Sequence, residues 1–227
     1  ATADGADGAT SVEFPYLLML ASGGHCQILL VRGVGQYEMI GQTLDDSAGE
    51  AFDKVAKMLN LGYPGGPVVD RRAALGNAHA FRFPRPLCDK PGCDFSFSGI
   101  KTAARTFLDR NPTPWSDEFI NDFCASFQAA VVDCITNRLE HAMDDARVVT
   151  AMPKTLVVAG GVAKNSAIRS AMEKLATKHG MVFAAPPMNL CTDNGAMIAW
   201  AGLENYRAGR MVTEPIAPRP RWPLTEL

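Results

Sequence analysis

Two apolar runs each end in a pair of glycines: Phe14-Pro15-Tyr16-Leu17-Leu18-Met19-Leu20-Ala21-Ser22-Gly23-Gly24-His25 and Thr155-Leu156-Val157-Val158-Ala159-Gly160-Gly161-Val162. Each reads as a β-strand that closes on a turn without Cβ atoms, where a ligand can approach the backbone. Amides gathered in such a turn make a concavity suited to anionic oxygens. One such loop says little. Two in one chain point to a nucleotide held between two halves of a protein.

Outward from the first run, Phe14 to Glu38 reads as a hairpin turning at Gly23-Gly24, and Tyr37 to Gly41 as a third strand. Ser47-Ala48-Gly49-Glu50 has the form of a capping box, and Phe52, Val55, Ala56 and Leu59 then form a helical stripe. The Gly62-Tyr63-Pro64-Gly65-Gly66-Pro67 stretch is expected to stop that helix. Ser98 is expected to cap a helix carrying Ile100, Ala103, Ala104 and Phe107. Ser116 opens the longest helix, in which Phe119, Phe123, Phe127, Val131, Ile135 and Leu139 recur every fourth residue and demand one buried face. The last third alternates: a strand (155–159), a helix (166–178), a strand (181–184) and a helix (194–206). That pattern predicts an α/β fold. Residues 1–13 read as a linker, 14–213 as the core, and 214–227 as an extended proline-rich tail.

Bulk properties narrow the function. The 227 residues are 47% hydrophobic with a formal net charge of -2, which excludes nucleic-acid binding by bulk charge but leaves a local basic face open. No apolar run approaches the roughly 20 residues that span a bilayer, and the first residues lack a basic region followed by an apolar one. No membrane association is expected. The six cysteines read as reduced thiols of a cytoplasmic protein, with Cys124 and Cys134 as small core residues. Cys88 and Cys93 are too far apart for a tight zinc knuckle.

Several residues carry alternative readings. Ser22, Gly23 and Gly24 suit either a tight turn or a phosphate cradle. Gly160-Gly161 followed by Asn165 suits either an ordinary capped strand–helix junction or an anion site at a helix start. Asp53 lies beyond the capping box, where the helix dipole explains a carboxylate less well; it is a surface residue or faces a ligand hydroxyl. Asp193 is an N-cap or a metal ligand. The four histidines show no paired spacing.

Taken in order, Ala21-Ser22-Gly23-Gly24-His25, the 45–54 stretch Asp-Asp-Ser-Ala-Gly-Glu-Ala-Phe-Asp-Lys, Tyr63-Pro64-Gly65-Gly66-Pro67, Phe83-Pro84-Arg85-Pro86, Asp94-Phe95-Ser96-Phe97-Ser98-Gly99, the 159–165 stretch Ala-Gly-Gly-Val-Ala-Lys-Asn, and the 191–197 stretch Cys-Thr-Asp-Asn-Gly-Ala-Met resemble the TsaD family, the tRNA threonylcarbamoyladenosine transferases. Each motif is weak alone; the set in order is specific, and it runs from Phe14 to the final helix. The resemblance implies an actin-like ATPase (ribonuclease H-like) fold around a nucleotide cleft. It implies transfer of a threonylcarbamoyl group from threonylcarbamoyl-AMP, made with ATP, to N6 of adenosine 37 in tRNAs that read codons beginning with A. By position, Leu20, Ala21, Ser22, Gly23 and Gly24 resemble the phosphate- and substrate-binding loop. Asp53, Gly66 and Asp70 resemble further substrate contacts, Asn165 the adenosine-side Asn, and Asp193 a ligand of the divalent metal, iron or zinc. Implied partners are tRNA, a TsaB-like paralogue and a TsaE-like ATPase. A homodimer is also expected.

The chain departs from that pattern at one place. The family's His-x-x-x-His metal pair stands shortly before the first glycine loop, where this chain has the Ala1–Glu13 segment. The expectation is a portion of a family member, incomplete at its N-terminus and inactive or nearly so alone. A non-catalytic nucleotide-binding module like the TsaB paralogue is the second reading. A metalloglycoprotease is a remote third, since no His-Glu-x-x-His motif is present.

Overall fold

The computed structural model describes residues 12–210, 223 and 224. The expected linker up to residue 11 and nearly all of the expected tail lie outside the described residues.

The elements in chain order are β1 (Tyr16–Ala21), β2 (Cys26–Gly33), β3 (Gln36–Gln42), α1 (Ala48–Met58), α2 (Gly65–Ala73), α3 (Ser98–Arg110), α4 (Asp117–Met143), α5 (Ala146–Ala151), β4 (Thr155–Ala159), α6 (Ser166–Lys178), β5 (Val182–Ala184) and α7 (Gly195–Arg207). The strands form one sheet in the order β3-β2-β1-β4-β5. β1–β2 and β2–β3 are antiparallel hairpin pairs, while β1–β4 and β4–β5 are parallel. In β1, Leu17, Met19 and Ala21 are buried and the alternate residues only partly so, the period-2 signature of one face against a core. That core also holds Phe52, Val55, Phe127, Val131, Ile135 and Ile168 from α1, α4 and α6. The α4 stripe is buried from Phe123 to Leu139 as its periodicity predicts, with Phe119 partly buried, and Phe52 meets Phe127 edge-on with ring centroids 5.4 Å apart.

Phe81 and Phe83 explain the irregular segment between α2 and α3. Both rings pack into an aromatic cluster with Phe107 of α3 and Phe123 of α4. The helix α7 differs from all the others, for none of its residues is buried. Met197, Ile198, Trp200, Leu203 and Tyr206 are exposed along it. Among the described residues, no helix is long and apolar enough to cross a membrane.

The structure departs from the sequence expectation at four places. Gly65-Gly66-Pro67 does not simply end α1; it starts α2, because a proline in the first helical turn forfeits an N–H that has no intrahelical partner there anyway. The short helix α5, closed by Met152 in the left-handed region, was not foreseen. Ser47 caps α1 by accepting the Glu50 amide, but Glu50 pairs with Lys54 at 2.6 Å. Ser98 does not cap α3, since its hydroxyl is drawn instead to Asp45, at 2.6 Å.

Candidate nucleotide-binding site

The register places Leu20 of β1 beside Ala159 of β4 in parallel pairing, so the two glycine loops leave the sheet side by side. In open α/β sheets, ligands bind outside the carboxyl ends of strands where neighbouring connections diverge. Here β1 continues into a hairpin and β4 into α6.

The loops touch. Gly160 has φ +94°, and a Cβ built on it would lie 2.2 Å from the Ala21 carbonyl oxygen. The first loop is also held from above by α1. Ser47, the buried N-cap of α1, donates its hydroxyl to the Gly23 carbonyl at 2.6 Å. A Cβ on Gly49 would meet the Ser22 carbonyl oxygen at 2.6 Å. Within the loop, the Ser22 hydroxyl accepts the amides of Gly24 and His25 at 3.3 and 3.0 Å. Around Gly23, Gly24 and Gly161 nothing lies within 4 Å of a built Cβ, so this side of both loops is open.

From α1 the contacts run on around the site. Asp53 Oδ1 accepts the Gly65 amide at 2.7 Å, tying the start of α2 to α1. A Cβ on Gly65 would sit 2.6 Å from the Asp53 α-carbon, so the approach requires glycine. One turn further along α2, Asp70 accepts the Ser166 amide at 3.1 Å and its hydroxyl at 2.9 Å. Ser166 begins α6, capped by Asn165, whose Oδ1 accepts the Ile168 amide at 2.9 Å. The Asn165 Nδ2 donates to Gln128 Oε1 of α4 at 2.7 Å. The contacts thus close a ring: Ala21, Gly160, Asn165-Ser166, Asp70, Gly65, Asp53, Ser47 and back to Gly23. Leu20, Ala21, Ser22, Gly23, Gly24, Asp53, Asp70 and Asn165 belong to this ring or adjoin it, and Gly66 follows Gly65 in the first turn of α2.

Asp53 and Asp70, and Asn165 through its Nδ2, carry protein–protein hydrogen bonds that their sequence positions did not disclose, while the Asn165 cap on α6 is one of the two readings the sequence offered. Ser47, Gly49, Ser166 and Gln128 also escaped attention as site residues. Only the glycine-like spacing of Gly49 within a capping motif hinted at its role.

A second anchor lies beside α1. Asp45 accepts the Ser96 and Ser98 hydroxyls, both at 2.6 Å, and the Phe97 and Ser98 amides at 2.8 and 3.2 Å. Partial burial alone would raise its carboxyl; these four donors outweigh that and hold it below the ordinary carboxylate value. Asp46 likewise overcomes burial through Lys101 and Lys54 and sits below its ordinary value. The motif Asp94–Gly99 is thereby clamped to the stretch that begins α1.

Asp193 stands apart. It is exposed, and its neighbour Asn194 caps α7 by accepting the Met197 amide at 3.0 Å. Among the described residues, no three His, Cys, Asp or Glu side chains are grouped to hold a metal ion. The residues present around Asp193 do not make a site for iron or zinc.

Comparison with known proteins bears on this arrangement. A solved structure described as the crystal structure of T. kodakarensis HypF aligns with a TM-score of 0.58 at 15% identity, covering 86% of this chain and 34% of that one, a likeness of fold alone. The chain is 56% identical over 214 residues to the tRNA N6-adenosine threonylcarbamoyltransferase of Rhodospirillum rubrum, covering 94% of this chain and 59% of that protein. It is 53% identical to the protein of the same name from Paramagnetospirillum magneticum, covering 94% of this chain and 61% of the relative. The chain therefore spans about three-fifths of the length of these relatives. The model of the family described as "TsaD: tRNA N6-adenosine threonylcarbamoyltransferase" matches residues 1–200, and the chain belongs to that family.

Proposed function

We propose that this chain supplies the nucleotide-holding part of a tRNA N6-adenosine threonylcarbamoyltransferase, with its core, residues 14–213, forming an actin-like ATPase fold. The observation that carries this reading is the pairing of two open glycine loops on adjacent parallel strands, β1 and β4, in a member of the family. The strand order, with an antiparallel hairpin at one edge and parallel strands at the other, supports the fold assignment.

The reaction is an acyl transfer. The N6 amine of adenosine 37 attacks the carbamoyl carbonyl of threonylcarbamoyl-AMP; the new C–N bond forms as the bond from the carbonyl carbon to the phosphate oxygen breaks, the amine gives up one proton to solvent, and AMP leaves. The open space beside Gly23, Gly24 and Gly161 would receive the phosphate, and the positive end of α6 beside Asn165 favours its charge. Asn165 has one Nδ2 hydrogen beyond its bond to Gln128, available on the adenosine side. Asp53 and Asp70 position α2 and α6 through Gly65 and Ser166 while keeping further acceptor capacity for substrate hydroxyls. Among the described residues, the family's divalent metal finds no donor set. ATP enters as the source of the adenylate, the substrate is tRNA, and a TsaB-like paralogue and a TsaE-like ATPase are the partners, in the cytoplasm.

The non-catalytic module reading is favoured by one observation: Asp193 has no companion donors among the described residues. The two readings are separated by assaying transfer from threonylcarbamoyl-AMP to tRNA. The chain alone is expected to give background incorporation, and a chimera carrying the histidine-bearing N-terminal portion of a relative to give transfer. Robust turnover by the chain alone overturns the inactivity claim. A folded, AMP-binding chimera that transfers nothing overturns the transferase assignment.

A further inference from the structure

Outside the ring, one pair of nucleophiles is unused. The Sγ atoms of Cys88 and Cys134 lie 3.7 Å apart. All six cysteines are free thiols, but no other two are found within hydrogen-bonding distance among the described residues. Cys88 sits on the irregular segment after Pro86 and is half-buried; Cys134 is buried on α4. Four residues on, α4 presents Arg138, 1% exposed. Its guanidinium donates to Asn137 Oδ1 and to the carbonyls of Lys90 and Gly92, with no carboxylate partner among the described residues. A buried cation balanced only by dipoles makes its surroundings favour a nearby anion.

Simple apolar packing accounts for two adjacent cysteines, but not for their polarised state. The Cys134 thiol, first, and then the charges of Arg138 and Arg85 draw the Cys88 thiol down to about 7, against burial. Burial instead pushes Cys26 and Cys124 up to about 12, and it raises Cys93. Cys88 thus ionises more readily than Cys26, Cys93 or Cys124, and the thiolate is the reactive form.

We propose that Cys88 and Cys134 are a redox-modification site that a hydroperoxide converts into an intramolecular disulfide. The Cys88 thiolate attacks the terminal peroxide oxygen: an S–O bond forms, the O–O bond breaks, and the departing oxygen takes up a proton as an alcohol or water. Cys134 then gives its proton to the sulfenic oxygen and attacks the Cys88 sulfur, so an S–S bond forms and water leaves. Two thiols lose two electrons in total, and the peroxide gains them. Closing from 3.7 Å to a bond of about 2.05 Å requires a small shift, which falls on the irregular 84–93 segment rather than on α4.

The test uses the reduced chain, hydrogen peroxide, and alkylation of the remaining thiols. Cleavage before aspartates at Asp89 and Asp133 separates Cys88 from Cys93 and Cys124 from Cys134. A reducible Cys88–Cys134 peptide pair is expected, forming at least about tenfold faster than oxidation of Cys93 or Cys124. The pair persists in Cys93→Ser and Cys124→Ser. It vanishes in Cys134→Ser, in which a dimedone adduct is expected on Cys88 instead. Circular dichroism of each variant verifies the fold. Equal oxidation rates at Cys88 and Cys93, or oxidation of Cys88 in the wild-type chain without the linked pair, overturns the proposal.

Discussion

The α-carbon of Gly160 faces the Ala21 carbonyl so closely that a built Cβ would lie 2.2 Å from that oxygen, on a backbone with φ +94°. The end of β4 thereby lies against the end of β1, and the two loops become one surface. Gly160→Ala is expected to destabilise the fold by about 2–4 kcal/mol, from left-handed strain and a clash with backbone that cannot yield. Denaturant unfolding measures it; a change under about 0.5 kcal/mol would mean that the loops do not depend on this contact.

Gly49 gives the opposite of the usual helix result. In an exposed helix interior, Gly→Ala stabilises by about 1 kcal/mol. Here the methyl would meet the Ser22 carbonyl oxygen at 2.6 Å and the Gly23 α-carbon at 2.9 Å. Gly49→Ala is expected to destabilise by about 1–3 kcal/mol, read from the denaturation midpoint. A stabilised variant would show that α1 does not clamp the first loop.

Asp45 adds a pH dependence. Its folded carboxyl lies below the ordinary value of 3.8, so its contribution is present above that value. It is lost as pH falls through the lower folded value. Exposure and solvent screening limit the effect to about 1 kcal/mol. Asp45→Asn should lower stability at pH 7 by about that amount and flatten the acid limb of the stability curve below pH 4. Parallel acid limbs for the two proteins would rule out this clamp.

The unburied face of α7 should drive association. Ile198, 69% exposed, and Tyr206, 66% exposed, stand with Met197, Trp200 and Leu203 on a helix that buries none of its residues. We expect concentration-dependent dimers in light scattering, reduced by Ile198→Glu. A monomer across the concentration range contradicts this expectation.

Local signals in the sequence were reliable where a short-range cause set the structure. Thr155–Ala159 and Ser166–Lys178 match the observed β4 and α6, because apolar periodicity and an Asn cap act within a few residues. The start of α2 was misread because glycine and proline signal both helix ends and first turns. The roles of Asp45, Asp53 and Asp70 were illegible for another reason: their partners lie 51, 12 and 96 residues away. Sequence motifs brought Asp53 and Asp70 into one candidate site, but only the fold showed that these two, and Asp45 beside it, each anchor a neighbouring element. Asp193 kept its motif but gained no companions among the described residues.

The most direct test of the nucleotide cleft is calorimetric titration of the chain with AMP, beside Gly161→Ala. Nothing lies within 4 Å of a Cβ built at Gly161, so that variant should keep its stability. Its methyl would occupy the space where phosphate meets the loop. Saturable binding by the wild-type chain, weakened at least about tenfold (1.4 kcal/mol) in Gly161→Ala, is the expected result. Absence of binding, or equal affinity in the two proteins, would contradict the account.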